Sequence, residues 1–385
     1  MFLARIYSFR FFDSFLLIYP LYGVMFVAHG LTPFQVSLTL MAWATTGFLL
    51  QIPSGVLADR WSRRWMLCAG QLVRILGFLA WIYAPGFPGY LVGFILWGVK
   101  TALTNGVFEA LVYDELKAAG RSQDYARVMG GAWAATAISI LLASLLASAA
   151  VKLGYPLVLW ATVAGGLACA ASAIALPRAR RSLPIGRPQY LAHLGQGFRF
   201  ALGHALIPAI IALLAFSQAF GGGLEGFWPI FGSKTGLSAP QVAIFAAAIA
   251  GAQALASANA HRLRRLAGPA FHGLFAAMGL ALALAAWIFQ PWTVALVVVL
   301  AGGFKLIDVN FDARLHDAIP SEMRATLASV RSFAGQVTMT ILLAAFGGLA
   351  QATSYRVGFL VAGGAMAVAG LAFIAIGRFR PPSRA

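Results

Sequence analysis

Long apolar runs alternate with short polar gaps along the whole chain. Twelve runs can be drawn, over residues 6–28, 34–57, 65–85, 90–117, 125–151 and 156–176, then 200–232, 239–259, 269–289, 293–318, 322–349 and 354–377. A helix needs about 20 residues to cross a hydrocarbon layer about 30 Å thick, and each run meets that length. Barrel strands would be about 10 residues long and would alternate in polarity, which these runs do not. The pattern predicts an all-α membrane protein of twelve transmembrane helices.

The only long polar stretch separates the sixth and seventh runs. It holds Pro177, Pro184 and Pro188 among five arginines, and it reads as a linker. The expected organisation is a six-helix bundle over 1–176, a cytoplasmic linker over 177–199, a second bundle over 200–377 and a tail over 378–385. The halves repeat each other. Glu109-Ala-Leu-Val-Tyr-Asp114 closes the fourth run, and Asp312-Ala-Arg-Leu-His-Asp317 closes the tenth. Arg127 and Arg324 then open the next helix in each half, and the loop 258–265 looks like a worn copy of the loop 55–64. Two bundles related by a pseudo-twofold axis follow.

Composition leaves no room for a soluble domain: 61% of the residues are hydrophobic and 10% charged, with mean hydropathy +0.82. The net charge of +17 would suggest nucleic acid in a soluble chain. Here most of the 28 basic residues fall in alternate gaps: Arg5 and Arg10; Arg60, Arg63 and Arg64; Lys117, Arg121 and Arg127; the linker; Arg262, Arg264 and Arg265; Arg314, Arg324 and Arg331; and the tail. Lys152, Lys234 and Arg356 fall on the other side. That asymmetry is topology. It puts both termini in the cytoplasm of a bacterial inner membrane, makes the lipid bilayer the partner and excludes nucleic acid. Arg10 and Asp13 interrupt the start of the first run, which argues against a cleaved signal. Cys68 and Cys169 give neither a disulfide framework nor a metal site. Gly221–Gly226 matches G-x-G-x-x-G, but no strand precedes it, so no nucleotide site is expected.

Ionisable groups inside a membrane are costly and point to function. They are Asp13 in the first predicted helix, Arg74 in the third, Lys100 and Glu109 in the fourth, Glu225 in the seventh, and Lys305 and Asp308 in the tenth. Lys305, Asp308, Asp312 and His316 form one stripe. Gln218, Glu225 and Trp228 share a face, with Gly221, Gly222 and Gly223 loosening the helix and Pro229 kinking it. Trp97, Lys100 and Thr104 share another face. Glu109 lies nine residues beyond Lys100, about 180° round a continuous helix, so the two are not expected to face one cavity squarely. Arg74 is expected to snorkel to the nearer surface. Asp13 and Asp308 are either coupling carboxylates or members of the internal pairs Arg10–Asp13 and Lys305–Asp308. Lys100 and Glu225 have no partner close in sequence. Tyr19, Tyr22, Trp97, Phe227 and Trp228 suit a flat or apolar body, while Lys100 and Lys305 suit an acidic group.

One loop gathers Asp59, Arg60, Arg63 and Arg64 within six residues. With Gly55, Leu57 and Ala58 it resembles the signature loop between the second and third helices of the major facilitator superfamily, G-x-L-A-D-R-x-G-R-[KR]. It departs at Ser62, where the family usually has Gly. The resemblance implies that the first, fourth, seventh and tenth helices line a central cavity. It implies a gradient-driven secondary transporter working by alternating access, with no cofactor and no enzymatic activity. It also implies a cytoplasmic gate at Gly55, Asp59, Arg60, Arg63 and Arg64, in which Asp59 meets Arg324 and Arg60 or Arg63 meets Asp114. The fifth run lacks the proline of the drug/proton antiporter signature, and the fourth lacks its Arg-x-x-Gln-Gly. Those absences count against export, yet proton-coupled export of a small amphipathic organic solute by a monomer stays the preferred expectation. Proton-coupled uptake, or a non-transporting sensor or assembly factor, are the alternatives.

Overall fold

The computed structural model describes residues 2–177, 199–200, 203, 207–263, 266–317 and 323–378; within helices, the side chains of 52, 56, 58–60, 316, 324–325 and 376–378 are left undescribed. Every regular element among the described residues is helical. Two compact units form. One comprises Met1–Ile185 with Leu237–Ala250, the other Gly186–Gly236 with Gly251–Ala385.

The first unit is built from α1 (Phe2–Ser14), α2 (Tyr22–Ala28), α3 (Pro33–Arg60), α4 (Arg63–Tyr83), α5 (Phe87–Thr104), α6 (Val107–Ala118), α7 (Tyr125–Ala150) and α8 (Tyr155–Ile174). The second holds α9 (Ile207–Ser217) and α10 (Trp228–Lys234), then α12 (Gly268–Ile288), α13 (Val294–Asp317), α14 (Arg324–Ala352) and α15 (Tyr355–Arg378). Between them in sequence, α11 (Ala239–Asn259) gives its start to the first unit and its end to the second. Among the described residues, ten helical stretches are long and apolar enough to cross a membrane. The two expected spans outside that set are the first, which is interrupted, and α3.

Three expected helices are not continuous. The first breaks between Ser14 and Tyr22, where Pro20 lacks the amide that would continue the ladder. The freed backbone finds partners on α7 and α8: Ile18 donates to Thr162 Oγ1 at 3.0 Å, and Ser139 Oγ donates to the Phe11 carbonyl at 2.6 Å. The fourth breaks at Asn105 and Gly106, and Gly106 takes φ 73°, a left-handed conformation that glycine adopts without a Cβ penalty. The seventh widens into a π-helix over Gln218–Gly223, tightens to a 3₁₀ turn over Leu224–Phe227, and resumes as α10. Such widening relaxes the regular ladder, and the glycine run makes it cheap.

Ends are set by local chemistry. Thr32 and Gln35 cap the start of α3 reciprocally, at 3.3 and 3.0 Å. The end of α12 passes through Phe289 at φ 54°, and Arg356 donates to the Ala286 carbonyl at 3.1 Å and to that of Trp287. Small residues set the closest helix pairs, as van der Waals contact must do where lipid supplies no hydrophobic drive. A Cβ on Gly77 of α4 would lie 2.9 Å from the Gly93 carbonyl of α5. On α15, a Cβ on Gly363 or Gly370 would lie 2.5 Å from the Ala283 or Ala276 amide nitrogen of α12. Gly279 of α12 lies equally close to Ala367.

Candidate functional site

Asp13 ends α1 one residue before the break, and a polar cluster forms around it. Lys100 Nζ of α5 lies 2.9 Å from Asp13 Oδ1, Arg74 Nη2 of α4 at 3.4 Å, and Gln71 Nε2 donates to the same oxygen at 2.8 Å. Arg10, one turn earlier on α1, comes within 3.9 Å of the other carboxylate oxygen. Arg74 also donates to the Asp13 main-chain carbonyl at 2.9 Å and to Gln71 Oε1. It thereby caps a carbonyl that the broken helix leaves without an amide.

This geometry corrects one expectation. Arg74 does not snorkel: it is 2% exposed and turned inward to Asp13. Lys100, which has no partner close in sequence, finds one on another helix in Asp13. The expected Arg10–Asp13 pair is present, but it is the longest of the three ionic contacts.

A cavity of about 200 Å3 opens beside the cluster, and Lys100, Glu109, Arg10 and Asp13 all line it. Lys100 and Glu109 therefore share one cavity, contrary to the expectation from a continuous helix. The break at Gly106 turns α6 relative to α5 and brings Glu109 round. Trp97 and Tyr19 lie elsewhere, with ring centroids 6.2 Å apart. Tyr22 is buried in an aromatic core with Phe26, Trp81 and Phe94.

A second cavity of about 260 Å3 in the same unit is lined by Gly55, Gln51, Ser54, Arg63 and the Asn105–Gly106 break. Arg63 Nη1 pairs with Asp114 and also donates to the Ala110 carbonyl at 2.8 Å, so Arg63 meets the end of α6. Arg64 lies over the ring of Trp65 at 5.2 Å. The side chains of Asp59, Arg60 and Arg324 lie outside the described set, so the expected Asp59–Arg324 contact does too.

In the other unit, a cavity of about 200 Å3 is lined by Glu225, Trp228, Gln253, Lys305 and Asp308, with Gly221 and Gly222 of the π segment. The expected Lys305–Asp308 pair does not form: no ion pair within 4 Å joins them, and Asp308 accepts a hydrogen bond from Ser217 Oγ at 2.6 Å. Asp312 of the predicted stripe pairs with Arg331, while the side chain of His316 is outside the described set. Trp228 is buried and stacks on Phe359 at 5.7 Å, with one edge on the cavity. Gln218 does not reach that cavity; it lies against Gly335 of α14. Phe227 packs on Phe346 at 4.6 Å. Ser217, Gln253, Gln71, Arg74 and Trp133 were not marked as site residues by the sequence. Arg74 was noted as an intramembrane charge but expected to snorkel, and the Ser217-Gln218 polar pair inside an apolar run hinted at Ser217.

Among the described residues no group of three or more His, Cys, Asp or Glu side chains is placed to hold a metal. The arrangement can neutralise, exchange and hydrogen-bond small charged or polar groups within membrane-spanning helices. The family model for the Major Facilitator Superfamily matches residues 3–341. Among solved structures, a mutant of the nucleoside transporter NupG is similar with TM-score 0.80 and 14% identity, covering 99% of this chain and 100% of that one. A mutant of the peptide transporter POT is similar with TM-score 0.77 and 14% identity, covering 98% and 94%. A bacterial homolog of the human lysosomal transporter Spinster, in an inward-facing and unoccupied conformation, is similar with TM-score 0.74 and 16% identity, covering 98% and 95%. No curated protein matches by sequence.

Proposed function

Starting from a chain that belongs to the Major Facilitator Superfamily, an integral membrane protein and secondary transporter rather than an enzyme, we propose that it carries a small amphipathic organic solute in exchange for protons. The observation that carries this reading is the pair of carboxylates on one cavity, Glu225 and Asp308, beside Lys305. A carboxylate on a cavity within a membrane-spanning helix can gain and lose a proton as the solute leaves and enters, which couples the two fluxes.

Asp13 is a poor carrier by comparison. Lys100, Arg74 and Gln71 hold its carboxylate in place, and Asp13 keeps two buried cations neutralised. The coupling role therefore passes to Glu225 first and to Asp308 second, since Asp308 has a hydroxyl partner and, among the described residues, no cation within ion-pair distance. Alternating access would come from rocking one half against the other. The Arg63–Asp114 pair would latch the loop between α3 and α4 to the end of α6, with Asp59, Arg60 and Arg324 completing the latch.

Export is preferred, in a monomer of the bacterial inner membrane with both termini in the cytoplasm. The test is flux in proteoliposomes, with a metabolite panel and an imposed pH gradient. Solute movement that follows the gradient, and protons that move with solute, support the reading. Solute movement indifferent to the gradient removes the proton, and no movement of any solute leaves a sensor or assembly factor.

A further inference from the structure

Arg10 is a part-buried cation whose side chain makes no hydrogen bond among the described residues. Its guanidinium lies between two rings, with its central carbon 4.6 Å from the Trp133 centroid and 5.0 Å from the Phe108 centroid. Asp13 stands 3.9 Å away, beyond hydrogen-bond length. Its side chain is 13% exposed, and Nε is buried with no hydrogen-bond partner. Such a group is costly unless an acceptor arrives. The two rings hold the planar fork in one orientation, so little entropy is lost when one does.

The surroundings point to the same ligand. Arg10 and Lys100 line one cavity of about 200 Å3. Lys100 spends one direction on Asp13 at 2.9 Å, and an ammonium has three protons to give. Arg74, 2% exposed, binds Asp13 but does not line this cavity. It keeps Asp13 neutralised when Lys100 is shared with a newcomer. Around Asp13 three cations face one carboxylate; Glu109, the other acid on the wall, makes no ion pair within 4 Å. Cationic charge remains in excess by one even when Glu109 is counted.

We propose that the cavity between Arg10 and Lys100 binds the acidic group of an organic anion, with the fork of Arg10 and one proton of Lys100 on its oxygens and the exposed face of Trp133 against its body. A carboxylate fits the fork in two parallel hydrogen bonds. The site rests on the reading of the chain as a carrier of an organic solute and names that solute's charge.

The probes are a panel of aromatic carboxylates, each with its neutral amide, for example 2-naphthoate and 2-naphthamide. Binding is measured by titration calorimetry on the purified full chain. At least one carboxylate should bind about tenfold or more tightly than its amide, the size expected of a charge-assisted hydrogen bond. Arg10→Gln should erase that difference, weakening the carboxylate about tenfold more than its amide. It removes no hydrogen bond seen in the fold, so it should fold as wild type does. Lys100→Met should act likewise, and Lys100→Arg should retain the preference if loss of the Asp13 contact unfolds the Met variant. Glu109→Gln should tighten the carboxylate by removing a like charge. Equal binding of carboxylates and amides across the panel, no binding by any carboxylate, or equal weakening of both classes by Arg10→Gln overturns the proposal. Binding without flux in the proteoliposome assay keeps the anion site and removes the transport reading; gradient-driven flux of neutral solutes alone does the reverse.

Discussion

Lys100 and Glu109 line the same cavity although nine residues separate them, because the helix that carries both is broken between them at Gly106. The break is a conformational choice that any other residue resists. At φ 73° a Cβ costs about 1–2 kcal/mol, while nothing lies within 4 Å of where it would sit. Gly106→Ala should therefore lower the melting temperature through the backbone alone and reduce transport by pulling Glu109 off the cavity. Gly130→Ala, also in open space but inside α7 with ordinary φ, should raise the melting temperature slightly and leave transport unchanged. Equal melting temperatures for the two variants would show that the break carries no strain.

Asp13→Asn should be among the most damaging single changes. It leaves Arg74 and Lys100, 2% and 9% exposed, facing each other without a counter-charge. Removing one partner of a buried ionic group costs about 3–5 kcal/mol. Thermal unfolding in detergent reads the loss, and adding Lys100→Met to Asp13→Asn should recover part of it. A double variant as unstable as the sum of the two singles would show that the groups do not interact.

Arg63 and Asp114 should be coupled. Arg63→Gln and Asp114→Asn each break the contact, so the double variant should be less impaired than the sum of the singles, by about 0.5–1 kcal/mol for a partly buried pair. The proposed latch adds a second readout. A cysteine placed near Gly55 should react faster with a membrane-impermeant maleimide in either variant. Unchanged labelling would leave the pair as a tie between α4 and α6 with no role in opening.

Glu225→Gln should abolish concentrative transport and leave exchange down a gradient intact. Asp308→Asn should do the same more mildly, since Ser217 Oγ still has a side-chain acceptor at that position. Uphill accumulation at the wild-type level in Glu225→Gln would remove it from the coupling role and leave Asp308 as the carboxylate of that cavity.

Fold class was legible because run length alone separates a membrane helix from other elements. The loosening at Gly221–Gly223 was legible too; the breaks near Pro20 and at Asn105–Gly106 were not, although their residues were in plain sight. Pro20 is tolerated in membrane helices, and Asn105-Gly106 is an ordinary turn signal that the apolar residues around it outweigh. Missing that turn placed Glu109 opposite Lys100. Arg74 was misjudged for a different reason: whether a buried arginine turns outward or inward depends on a partner from another helix, and Asp13 lies 61 residues away. A still greater distance in sequence hid the Lys100–Asp13 pair. Of the two arginines that the resemblance offered to Asp114, Arg63 makes the contact.

The glycine contacts between α12 and α15 bear on how the second unit can move. Gly279, Gly363 and Gly370 bring main chain against main chain, with no layer of side chains between them. Side chains are what let packed helices slide, because a rotamer change absorbs a displacement that a backbone atom in contact cannot. These two helices must travel as a single plank. Bending during any working cycle then falls to the glycine-rich π segment at Gln218–Gly223, which borders the Glu225 cavity. In this unit the flexible joint and the ionisable pocket are the same stretch of chain.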